Sequence, residues 1–304
     1  MSAAQPVRNA RVVAFGNQKG GVTKTSTIVN LAAVLSERGY RVLVWDLDVN
    51  CACTRLFGVP EGLNIYGTFE VMTGQETAQE CIIRPGDLET ATLPENVHLI
   101  AAHTRLEDVE GALEGKLGPF TKPWEVLRSP VASLKGEYDF VFLDTSPSMT
   151  LPTKAAYMAA EYFILTAIPE RLAIEGLVNA VRYIEHAWKG GNPNLRLMGV
   201  VMNQVPGRPT RLSTALLAEV DKLFGPKRGE FARRYQSYIT ASTIVPSVQQ
   251  SGRTLVEAAP DHKVTNQYRA LAEEIVARFA ALDGQQSKEE GRPPVPAMTE
   301  AANG

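Results

Sequence analysis

The chain has 304 residues, 44% hydrophobic and 21% charged, with a formal net charge of −2. This composition supports a large buried core, excludes a wholly disordered chain, and confines any affinity for nucleic acid to a local patch. No apolar run reaches the roughly 18 residues of a membrane span, Met1 to Ala10 lacks a leader pattern, and the three cysteines, Cys51, Cys53 and Cys81, suit the reducing cytoplasm.

Residues 11–17 (RVVAFGN) read as a strand ending in a small-residue turn. In the next segment Ile28, Leu31, Ala32 and Leu35 recur at helical spacing, and Gly39 stops the helix. RVLVWDLD follows as a second apolar strand, so the chain opens with a βαβ unit that favours parallel strands buried on both faces. Further strands are expected at 96–102, 139–144, 162–168 and 197–205, with helices near 152–160, 172–188, 210–224 and 264–282. The alternation implies a doubly wound, mostly parallel α/β sheet with helices on both faces. Residues 1–9 are expected to be a flexible N-terminus, 10–283 one domain, and 284–304, almost free of large apolar residues, a disordered tail.

The most informative segment is Gly16-Asn17-Gln18-Lys19-Gly20-Gly21-Val22-Thr23-Lys24-Thr25, between the first strand and its helix. Glycines there let backbone N–H groups approach phosphate oxygens, and the helix N-terminus adds partial positive charge. Lys24 can reach β- and γ-phosphates, and the Thr25 hydroxyl can ligate Mg²⁺. The ordinary phosphate loop has Gly before that lysine; this chain has Thr23 and an additional lysine, Lys19.

The loop resembles the deviant Walker A motif of the ParA/MinD family of P-loop ATPases. VLVWDLDVN (42–50) is similar to that family's strand ending Asp-x-Asp-Pro-Gln, with Val49 and Asn50 replacing Pro and Gln. IYGTFEVMTGQETAQECII (65–83) resembles its next helix and connector. YDFVFLDTSPS (138–148) resembles its Walker B strand, with Ser146 for the first of two prolines, and AIPERLAIEGL (167–177) its following strand and helix start.

The resemblance implies a cofactor, ATP or ADP with Mg²⁺, and a role for each matching residue. Lys19 is expected to touch the nucleotide of a dimer partner, where a second cation offsets γ-phosphate charge. Lys24 serves the phosphates in cis; Gly20, Gly21, Val22, Thr23 and Ser26 complete the cradle, with the Ser26 hydroxyl toward the α-phosphate. Thr25 and Asp144 are expected at Mg²⁺, with Asp48 there partly through water and orienting the attacking water; Asp46, two residues earlier, supports Mg²⁺ or the loop. Asn203 and, ranked below it, Pro246 are expected at the adenine. Cys51-Ala52-Cys53 has no second pair, and His98 and His103 lie in another segment, so no thiolate metal centre is expected.

Residues 205–234 hold seven basic against three acidic residues, a local excess of four positive charges. Arg208, Arg211, Lys227, Arg228, Arg233 and Arg234 are the expected DNA contacts, sequence-nonspecific and through phosphates. Membrane binding is not expected: the C-terminus carries Lys288 and Arg292 against Glu289, Glu290 and Glu300, with Pro293, Pro294 and Pro296. By resemblance the chain is a partition ATPase, an ATP-dependent homodimer on nonspecific DNA stimulated by a ParB-type adaptor. It is then cytoplasmic, and nucleoid-associated when ATP-bound. The alternatives are a positioning ATPase for a non-DNA cargo, a MinD-like membrane-cycling ATPase, and an ATP-coupled metabolic enzyme.

Overall fold

The computed structural model describes residues 9–290 apart from 61, 119–120 and 226–227. Strands rich in Val, Leu, Ile and Phe form its centre because they are apolar on both faces. Val13 and Phe15 of β1 (Arg11–Gly16) pack on one side, and Val12 and Ala14 on the other. β2 (Val42–Asp46) repeats the alternation, with Val42 and Val44 opposite Leu43 and Trp45. β5 (Phe140–Asp144), β6 (Tyr162–Ala167) and β7 (Arg196–Met202) are buried in the same way over most of their length.

Among the described residues seven strands form one sheet in the order β3-β4-β2-β5-β1-β6-β7. All neighbours are parallel except two-residue β3 (Ile82–Ile83), which pairs antiparallel with β4 (Val97–Ile100) at the edge. The sheet has helices on both faces, as expected of the doubly wound class. One face is covered by α1 (Lys24–Glu37) and α11 (Lys263–Glu290), the other by α6 (Leu151–Ala159), α7 (Arg171–Gly190) and α8 (Arg211–Leu223). Tyr268, Leu271, Ile275 and Phe279 of α11 are buried, as their spacing predicts. Short helices α2 (Ala52–Leu56), α3 (Thr68–Thr73), α4 (Val109–Leu113), α5 (Arg128–Leu134), α9 (Ile244–Gln250) and α10 (Leu255–Ala258) fill the connections.

One expectation is corrected here. Helix α11 does not end at 282 but runs to Glu290, seven residues into the stretch read as a tail. Gln, Lys and Glu are good helix formers, so a helix docked by its first five turns continues without an apolar face. Residues 291–304 and 1–8, and with them the rest of the expected loose ends, lie outside the described residues. Among the described residues no helix is long and apolar enough to cross a membrane.

Candidate nucleotide site

The parallel register brings the C-terminal ends of β1, β2 and β5 together, with Asp46 directly beside Asp144 and Phe15 on its other flank. Ligands of doubly wound sheets bind at this edge. The turn from β1 into α1 crosses it. Gly21 takes φ +76, a left-handed conformation that suits glycine. Thr23 also lies in that region, at φ 63, immediately before the first helical residue, Lys24. This is the position where the ordinary pattern has glycine, and the conformation supplies the reason.

Asn17 holds the start of this turn. Its Nδ2 donates to the carbonyls of Thr166 (2.7 Å) and Ala173 (3.2 Å), and its Oδ1 accepts from the Lys19 N–H at 2.9 Å. Gly176 of α7 packs so closely that a methyl group there would overlap Asn17 Oδ1. The Lys19 ammonium pairs with Glu170 of the same chain, at the start of α7.

Loop residues Gly20 to Ser26 line an open cleft of about 1060 Å³ together with Asp48, Asn50 and, from the far wall, Pro246 and Gln249. Lys24 is buried beneath it. Burial pushes its ammonium below the usual range, and Asp144 and Asp48 pull it back up. Asp144 is fully buried, and neither carboxylate oxygen has a hydrogen-bond partner among the described residues. Burial first, then the adjacent Asp46, push its carboxyl well above the usual carboxylate range; Thr25 and Lys24 oppose them. A buried, unpartnered carboxylate beside a hydroxyl and an ammonium fits a hard divalent cation. Among the described residues no three His, Cys, Asp or Glu side chains are placed to hold a metal by themselves; Asp144 and the Thr25 hydroxyl are the side chains that would hold the cation.

Asp46 and Asp48 divide the work. Asp46 is buried and accepts from the Thr54 N–H (2.8 Å), the Thr54 hydroxyl (2.7 Å) and the Asp48 N–H (3.1 Å), so it braces the loop. Burial raises its carboxyl to about 6 against those hydrogen bonds. Asp48 faces the cleft, and its Oδ1 accepts both the backbone (3.0 Å) and side-chain (2.9 Å) N–H of Asn50. Asn50, a departure from the family pattern, thus fixes the orientation of Asp48.

Asn203 is not on the cleft wall. It is buried behind the loop, and its amide exchanges hydrogen bonds with the Thr27 hydroxyl of α1. Pro246 lies on the cleft wall itself. Sequence reading missed Asn17, Glu170 and Gln249. Gln249 lies one helical turn after Pro246 and was accessible to a spacing argument; Glu170, 151 residues from Lys19, had no local signal.

The basic strip divides likewise. Arg208, Arg211, Arg228 and Arg233 are exposed. The first two sit at the start of α8. Arg228 packs at its end, donating to the Leu223 carbonyl, so the two groups lie about 18 Å apart along 13 residues of helix. Arg234 is instead spent on a bidentate pair with Asp221 at 2.8 and 3.0 Å. Lys227 lies outside the described residues. Cys51 and Cys53 are buried and form no disulfide.

A glycine-rich loop between β1 and α1, a buried lysine and an unpartnered strand-end aspartate define a P-loop nucleoside triphosphatase. The chain matches the AAA domain family over residues 10–197 and belongs to it. It is 32% identical to the chromosome-partitioning ATPase Soj of Thermus thermophilus, covering 88% of this chain and 96% of that one. It is 28% identical to the chromosome partitioning protein ParA of Caulobacter vibrioides, over 88% and 94%. Among solved structures, cobyrinic acid a,c-diamide synthase of Mycobacterium smegmatis with bound ATP analogue and magnesium superposes with a TM-score of 0.71 at 26% identity, over 90% and 96%. The protein is a ParA-type ATPase whose cofactors are ATP or ADP and Mg²⁺.

Proposed function

We propose that the chain is a DNA-partition ATPase whose ATP-bound homodimer binds nonspecific DNA and releases it after adaptor-stimulated hydrolysis. The observation that carries this reading is that one loop holds two lysines, Lys24 buried near Asp144 and Lys19 held at the surface by Glu170. The names of its Soj and ParA relatives support the partition role.

In this reading Gly20, Gly21, Val22 and Thr23 present backbone N–H groups to the phosphates, and Lys24 holds the β- and γ-phosphates. Thr25 and Asp144 hold Mg²⁺ directly, with Asp48 in reach through water. Bound magnesium supplies positive charge against the phosphate oxygens. Asp48, oriented by Asn50, positions the attacking water. Lys19 leaves Glu170 and donates to the partner's nucleotide, so closure needs two copies and two triphosphates. Pro246 packs at the adenine side of the cleft.

The dimer joins two basic faces, each contributing Arg208, Arg211, Arg228 and Arg233, and linkage makes the pair bind far more tightly than one. Lys227, in the same strip, joins them in this reading. Arg234 supports the face through Asp221. The partners are then a second copy, nonspecific DNA and a ParB-type adaptor, in the cytoplasm and on the nucleoid when ATP is bound. A positioning ATPase for another cargo uses the same chemistry, and the adaptor separates the two. Fluorescence anisotropy of a labelled duplex tests the reading: binding with Mg-ATP, loss with Mg-ADP, and a steep fall with salt are expected. Equal binding with ATP and ADP would overturn it.

A further inference from the structure

The far wall of the cleft is tied to the phosphate loop at two points. Gln249, the penultimate residue of α9's last turn, donates its Nε2 hydrogen to the Ser26 hydroxyl oxygen. Further along, Asn30 of α1 accepts the Leu255 N–H at 3.0 Å with Oδ1 and donates Nδ2 to the Ser26 carbonyl at 2.8 Å. Both sides of Ser26 are therefore held, its carbonyl by Asn30 and its hydroxyl oxygen by Gln249. Ser26 and Gln249 also line the cleft together.

A hydroxyl oxygen that accepts an amide N–H keeps its own proton for a different acceptor. The Ser26 hydroxyl donates to no atom among the described residues. Its proton is therefore available to the cleft, where the loop receives phosphate. Gln249 is partly exposed and Ser26 is buried, so the orienting group sits on the nucleotide's outer wall and the donor at its base.

We propose that Gln249 is a positioning residue: by donating to Ser26 Oγ it turns the Ser26 proton toward the α-phosphate, and so couples the α9 wall to nucleotide binding. This rests on the nucleotide assignment above. Being set at the α-phosphate, the contribution is the same for ADP and ATP.

The test uses the full chain and equilibrium binding of methylanthraniloyl-ADP and methylanthraniloyl-ATP with Mg²⁺. Gln249→Glu keeps the shape but replaces the donor with an acceptor, which draws the Ser26 proton away from the phosphate. Gln249→Ala leaves the hydroxyl free to rotate. Gln249→Glu is expected to weaken both nucleotides equally, by about tenfold, as for one charge-assisted hydrogen bond, and Gln249→Ala by a smaller factor. In a Ser26→Ala background neither change has a further effect. Far-UV circular dichroism checks that each variant folds.

Three results overturn the proposal. Gln249→Glu binding like the wild type while Ser26→Ala binds weakly removes Gln249 alone. An undiminished Gln249→Glu loss in the Ser26→Ala background shows plain charge repulsion and removes the coupling through Ser26. Normal ADP and ATP binding by Ser26→Ala removes the α-phosphate role of Ser26 itself, and with it that part of the nucleotide assignment.

Discussion

Asp144→Asn separates what the site costs the folded protein from what it does. The wild-type cluster sets three carboxylates, Asp46, Asp48 and Asp144, against one buried ammonium, Lys24. Asp144 is fully buried with both oxygens unpartnered, and burial and Asp46 both disfavour its charge. An isosteric amide removes one excess negative charge and leaves the volume unchanged. The amide is still a buried polar group, so the gain is relief of the buried charge and of its repulsion by Asp46, taken as roughly 1–3 kcal/mol. For a fold of this length that is about 2–5 °C in melting temperature. Thermal unfolding in EDTA without nucleotide, at pH 7.5, should therefore show Asp144→Asn melting above the wild type. With Mg-ADP at about 100 times its dissociation constant the wild type should gain about 2.7 kcal/mol and the variant almost none. Ligand thus shifts the wild type by about 2.7 kcal/mol relative to the variant, which cancels or inverts the order of stabilities. If Asp144→Asn is the less stable protein without nucleotide, the argument from unbalanced buried carboxylates is wrong.

Asp46 predicts a pH dependence. Its folded carboxyl, at about 6, lies above its ordinary value of 3.8, so its contribution is fully present below about 4 and is lost as pH rises through about 6. Asp46 should account for a loss of about 3 kcal/mol over that range in the nucleotide-free protein, and Asp46→Asn should make the chemical-denaturation profile less steep there. Gly176→Ala drives a methyl into Asn17 Oδ1, the acceptor that holds the Lys19 backbone. Isothermal calorimetry should show weakened ADP binding, and melting a loss of roughly 1–3 kcal/mol. Arg208→Ala and Arg211→Ala should weaken DNA binding at constant stability and lower the salt slope by about one each. Arg234→Ala should instead lower stability by up to about 1 kcal/mol, since its guanidinium holds Asp221.

Much of this was legible in the sequence because it is local. The phosphate loop is one uninterrupted segment, and strands buried on both faces declare themselves as apolar runs. The long helices α1, α7, α8 and α11 show their period. Helices of four to seven residues, such as α2, α9 and α10, are too short for periodicity to register, and β3 has only two residues. The partners that fix the site lie far apart along the chain: Asn17 with Ala173, Lys19 with Glu170, Ser26 with Gln249. Asn203 shows the limit from the other side. A strand-end amide suits a base edge and a buried hydroxyl equally, and its bond to Thr27, 176 residues away, has no local signal in the sequence.

The central claim is that Lys19 exchanges its partner within the chain, Glu170, for a nucleotide on a second copy. Sedimentation velocity of wild type and Lys19→Ala, each with Mg-ADP and with Mg-ATP, addresses it directly. The account predicts a dimer for the wild type with ATP alone, and a monomer for Lys19→Ala under every condition although it still binds nucleotide. A Lys19→Ala protein that dimerises with ATP as the wild type does would contradict it.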